Sequence, residues 1–201
     1  MTSAMTTREP ATLLRRGLAL EYATLAWNVV GVFVVATAAL VARSVALAGF
    51  ALDSGVEIFA SVIVVRELNG TADGGRERRA VRRIGTAFFA LAASITVQAV
   101  SVLVTSSRPR HSPLGIAWTA ITAAVMFALA AGKAATGKAL GNRVLQTEGR
   151  VTLIDGYLAA AVLTGLGLNA AAGWWWADPL AGFVIVFYGI REGRAAWSTD
   201  E

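Results

Sequence analysis

The sequence predicts an all-α membrane protein, a bundle of six transmembrane helices, on three observations. Of the 201 residues, 56% are hydrophobic and only 15% charged, whereas a soluble domain carries about a quarter charged residues. Uncharged runs long enough to cross a bilayer recur along the chain, and the mean hydropathy is +0.60. The Lys and Arg residues fall between those runs, crowded in alternate gaps and sparse in the others.

Residues 1–18, with Arg8, Arg15 and Arg16, read as a cytosolic lead-in, frayed or lying at the interface. From Tyr22 to Ala42 there is no charge, giving about 31 Å of helix at 1.5 Å per residue. This run is too long for a signal peptide cleaved after Ala36-Thr37-Ala38. The second span, Ser44 to Val65, follows after little more than Arg43, so the first two form an antiparallel hairpin. Gly-Thr-Ala-Asp-Gly-Gly turn chemistry and a basic run from Arg76 to Arg83 separate it from a third span, Ile84 to Val104. Thr105 to Ser112 reads as a loop, and Pro113 to Gly132 as the fourth span.

Lys133 to Arg150 is mixed and reads as a helix-compatible connection. A fifth helix then runs to about Asn169 and carries Asp155. Trp174-Trp175-Trp176 looks like an interfacial belt, followed by Pro179 in the first turn of a helix. The sixth span, Pro179 to Ile190, crosses only if Asp178 sits among headgroups and Arg191 snorkels. The six-span domain is thus 19–197, with a cytosolic tail at 198–201.

With both termini in the cytosol, 15 of the 18 Lys and Arg residues fall on the cytosolic side. Their placement at membrane edges accounts for the net charge of +5 without a nucleic-acid surface. The absence of cysteine removes disulfides, thiolate metal sites and cysteine nucleophiles. His111, the single histidine, sits in an Arg-Pro-Arg-His-Ser-Pro loop. Histidine-rich metal cages and a Ser-His-Asp triad within the membrane are therefore excluded.

Against this apolar background the acids stand out. Asp53 and Glu57, four residues apart, project from one face of the second helix. Counted from the extracytosolic ends, Asp53, Glu57 and Asp155 lie at depths of roughly 14, 20 and 21 Å. Antiparallel packing of the second and fifth helices would bring Asp155 level with Glu57. Three carboxylates so close oppose one another's ionisation unless a cation joins them. A dication would hold them ionised and protons would replace it on departure, which is the physical basis of cation/proton exchange; the bland alternative is three protonated structural groups. Glu21 reads as an interfacial acid near Arg15 and Arg16. Asn28 reads equally as a cavity-lining group or a helix-packing hydrogen bond. The pairs Gly137/Gly141 and Gly189/Gly193 match small-xxx-small spacing.

These residues resemble the transmembrane domain of the cation diffusion facilitator family. The likeness lies in Ser44-Val-Ala-Leu with Asp53, Ser54, Glu57 and Ser61, in Glu148-Gly-Arg-Val-Thr-Leu-Ile-Asp155-Gly, and in the later Val-Leu-x-Gly-Leu-Gly-Leu-Asn and Trp-Trp-Ala-Asp-Pro-Leu-Ala-Gly runs. In that family an acid pair four apart on the second helix and a His/Asp pair four apart on the fifth bind the transported ion. Asp53, Glu57 and Asp155 fit three of those positions, while the histidine position is Val151. The family's cytosolic C-terminal domain has no counterpart here.

The resemblance implies a multi-pass plasma-membrane antiporter that exports a divalent cation of the zinc, manganese or iron class in exchange for protons. It implies no prosthetic group and no enzymatic activity. Without the imidazole, an oxygen-only site shifts preference from zinc toward harder ions such as manganese, magnesium or calcium. Any homodimer would form through membrane helices. The alternative is a non-transporting protein of the same fold, a metal sensor or partner subunit.

Overall fold

In the computed structural model, residues 5–69, 74–106 and 108–198 are described. Six helices follow in order: α1 Met5–Ala42, α2 Val45–Leu68, α3 Gly74–Thr105, α4 Pro113–Leu140, α5 Arg143–Ala172 and α6 Ala177–Ser198. No strand occurs among the described residues. The stretches Ala11–Ala42, Val45–Arg66, Phe88–Thr105, Pro113–Leu140 and Glu148–Ala172 are long and apolar enough to cross a membrane. The 22 residues of α6 make a sixth helix of about 33 Å at 1.5 Å per residue.

The elements differ from the expected ones mainly at their ends. α1 extends back to Met5, through the segment expected to fray. The mixed segment Lys133 to Arg150 is the end of α4 and the start of α5, joined by a turn at Gly141 and Asn142. Gly141 adopts φ 64°, the left-handed cap that glycine accepts without steric cost, and the Asn142 side chain caps α5 by accepting from the Leu145 N–H at 2.9 Å. Part of the turn chemistry before α3, residues 70–73, lies outside the described residues.

The helices pack most closely as three pairs, α1 with α2, α3 with α6 and α4 with α5. Lipid tails are as apolar as the side chains, so close backbone approach and polar contacts hold such pairs together. Small residues permit that approach: a Cβ on Gly137 of α4 would stand 2.8 Å from the backbone N of Gln146 on α5. Where α2, α3, α5 and α6 meet, Phe50, Ile95, Val162 and Ile185 are fully enclosed among many buried alanines.

Asp178 is buried within the bundle at the start of α2. Its carboxylate accepts hydrogen bonds from the Val45 and Ala46 N–H groups at 2.9 and 3.3 Å and from the Ser44 hydroxyl. The first N–H groups of a helix lack partners within it, and α6 supplies them to α2 across the bundle. Ser44 adds a local cap, accepting from the Leu47 N–H at 3.1 Å. The start of α2, two to three turns above Asp53, is thus tied to α6.

Candidate ion site

Helix phase aims the acids inward. Asp53 and Glu57 lie one turn apart on α2, on a face shared with the buried Phe50, Ser54 and Ser61. Asp155 lies on α5 in phase with the buried Glu148, Thr152, Leu158 and Val162. Asp53, Glu57 and Asp155 are 6%, 4% and 3% exposed and line one cavity of about 20 Å³. That volume admits about one water molecule or one small cation. Its remaining wall is largely apolar and includes Val151, Ile154, Leu158 and Phe88.

Three carboxylate oxygens of this cavity lack hydrogen-bond partners within the protein. Both carboxylate oxygens of Asp155 and Oε2 of Glu57 are buried without a hydrogen bond. Buried carboxylate oxygens are costly to leave unmatched, and the three acids also repel one another. A cation answers both deficits at once, whereas a hydrophobic neighbour answers neither. Among the described residues, however, no three Asp, Glu, His or Cys side chains converge on a single point as a finished metal cage. The acids share a cavity without closing on one centre.

Beside this cavity lies a second cluster absent from the sequence-based expectation. Lys133, expected in a helix-compatible connection on the cytosolic side, is on α4 and fully buried. Its Nζ donates to Glu148 Oε1 at 3.3 Å and to Thr152 Oγ1 at 3.0 Å, and stands 3.1 Å from Glu21 Oε2 as an ion pair. Glu21 is therefore an interior acid, 0% exposed, rather than an interfacial one near Arg15 and Arg16. The Thr152 hydroxyl donates in turn to Glu57 Oε1 at 3.2 Å, and the Ser61 hydroxyl to Glu148 Oε1 at 3.4 Å. A continuous polar chain joins Glu21, Lys133, Thr152 and Glu57 across α1, α4, α5 and α2.

The close fit of α4 to α5 makes the Lys133–Glu148 contact possible. A Cβ on Gly149 would stand 3.0 Å from the Ala134 backbone N and 3.2 Å from the Lys133 Cβ. Glu192 on α6 also lines the cavity and acts electrostatically on Asp53. Its phase with the buried Ala181 and Ile185 carries the signal that it faces inward. Asn28 is buried with Nδ2 unpartnered, and His111 is exposed in its loop.

A sequence model of the cation efflux transmembrane domain matches residues 84–197. The chain belongs to the cation efflux family. The match runs from within α3 to near the end of α6, and so contains Lys133, Glu148, Asp155 and Glu192. Glu21, Asp53 and Glu57 precede it and are tied to it by the contacts above. As a member of the cation efflux family, the chain is a multi-pass membrane protein of a cation transporter family, not of an enzyme family.

Proposed function

We propose that this cation efflux protein exchanges a divalent cation for protons by alternating access, with Asp53, Glu57 and Asp155 as its ligands. The observation that carries the reading is the pair of unpartnered Asp155 oxygens facing the same small cavity as Glu57 and Asp53. With the acids around one cavity rather than one point, an ion there is held partly through water, as hard cations commonly are. The donor set is oxygen alone because Val151 occupies the wall where an imidazole would stand. Manganese, magnesium and calcium suit that set better than zinc. When the ion leaves, protons restore charge balance among the carboxylates. In this reading the termini lie in the cytosol of the cell that exports the ion.

Purified full-length protein in liposomes with a trapped pH dye provides the test. An inward Mn²⁺ gradient should drive proton efflux, and Asp53→Asn or Asp155→Asn should abolish it. Flux unchanged in both variants would overturn the ligand assignment. No flux with manganese, zinc, iron, cobalt or cadmium would favour the second reading, a metal sensor or partner subunit of the same fold. The apolar Val151 in the cavity wall is the observation behind that alternative.

A further inference from the structure

The Lys133 cluster contains a charge mismatch. Glu21 and Glu148, 0% and 4% exposed, face a single ammonium that is itself fully enclosed. Two carboxylates share one ammonium, so with both ionised one negative charge is uncompensated. The shortfall is visible at Glu21: Oε1 has no partner, and Oε2 meets Nζ only as an ion pair, without hydrogen-bond alignment. Thr136, one turn after Lys133 on α4, adds a buried hydroxyl with no partner. Unlike the cavity beside it, this cluster already holds a cation, one that belongs to the chain.

We propose that Glu21 and Glu148 form a second cation site, distinct from the Asp53, Glu57 and Asp155 site, and that the tethered ammonium of Lys133 occupies it in place of a free ion. Two carboxylates with the Thr152 hydroxyl beside them are an oxygen donor set whose charge matches a dication better than an ammonium. Lys133 thus keeps a divalent ion out while supplying enough charge to hold the four helices together. The two sites are neighbours, since Thr152 accepts from Lys133 and donates to Glu57. The occupant of one site therefore faces the other through a single hydroxyl.

Mn²⁺ binding to detergent-purified, metal-stripped full-length protein, counted by equilibrium dialysis, tests the proposal. The unmodified chain should bind one Mn²⁺, Lys133→Ala two, and the Lys133→Ala/Glu148→Gln double variant one again. Lys133→Ala/Asp155→Ala should retain the second ion alone. A count that does not rise in a monodisperse Lys133→Ala protein, or a rise that survives Glu148→Gln, would overturn the second site. The proposal stands apart from the transport reading: no Mn²⁺ on the unmodified chain, with one on Lys133→Ala that Glu148→Gln removes, would sink the first site and support the second. Should Lys133→Ala fail to fold, methylammonium added during purification should restore monodisperse protein by filling the vacated position. If it does not, and Lys133→Gln also binds no additional ion, the lysine is only a structural tie and the proposal falls.

Discussion

Asp178 at the start of α6 caps the start of α2, accepting the Val45 N–H at 2.9 Å and the Ala46 N–H at 3.3 Å. A buried carboxylate satisfies the free end of another helix, so its loss strands two backbone donors and the Ser44 hydroxyl. Asp178→Ala should destabilise the protein by about 1–3 kcal/mol, read as a lower unfolding temperature in detergent. Asp178→Asn keeps an acceptor and should fall between the variant and the unmodified chain. Equal melting of all three would show that the cap contributes nothing.

Asp155 should show the opposite balance of stability and activity. Its two oxygens are buried without a hydrogen bond beside Glu57 and Asp53, so an ionised Asp155 is repelled by both and neutralising it removes that repulsion. Asp155→Asn is expected to leave the unfolding temperature unchanged or raise it while transport falls at least about tenfold. Sites that bind ions commonly trade stability for function in this way. A variant that both melts early and transports normally would contradict the assignment on both counts.

In the proposed exchange, protons and the dication compete for the same oxygens, because a carboxylate ligand must be ionised to bind metal. Mn²⁺ affinity should therefore weaken as pH falls, by up to about tenfold per pH unit for each proton displaced. Titrations between pH 6 and pH 8 provide the check. A pH-independent affinity would remove the proposed exchange.

The Thr152 hydroxyl joins Lys133 to Glu57. Thr152→Val keeps the shape and removes both hydrogen bonds, which should weaken Mn²⁺ binding several-fold and cost about 1–3 kcal/mol of stability for the groups left unmatched. Thr152→Ser restores the hydroxyl and should recover most of both. Recovery of stability without recovery of binding would separate packing from positioning.

Val151 lines the cavity where the wall offers no donor. Val151→His should shift competition in liposome uptake toward zinc over manganese, since imidazole favours the borderline-soft ion. Unchanged selectivity would place the side chain off the ion's path.

The helix count and the meeting of Asp53, Glu57 and Asp155 were legible because both follow from counting. Apolar run length locates spans, and antiparallel depth levels one acid with another. The burial of Glu21 and Lys133 was missed because each lies beside other charges in the sequence, and proximity along the chain resembles an interface or a connection between spans. Their burial depends on a partner on a different helix, which no local window contains. The partners of Asp178 went unforeseen for the same reason, being backbone N–H groups more than a hundred residues away. Glu192 was overlooked although its phase with Ala181 and Ile185 pointed inward.

The pairing of the helices sets which polar contacts survive motion. Lys133 and Glu148 both belong to the α4–α5 pair, so their contact travels with that pair as a unit. The Lys133–Glu21, Thr152–Glu57 and Ser61–Glu148 contacts instead bridge α4–α5 to α1–α2. In the proposed alternating access, rocking of one pair against the other would break these three and leave the first intact. The charged seam would then act as a latch on that change.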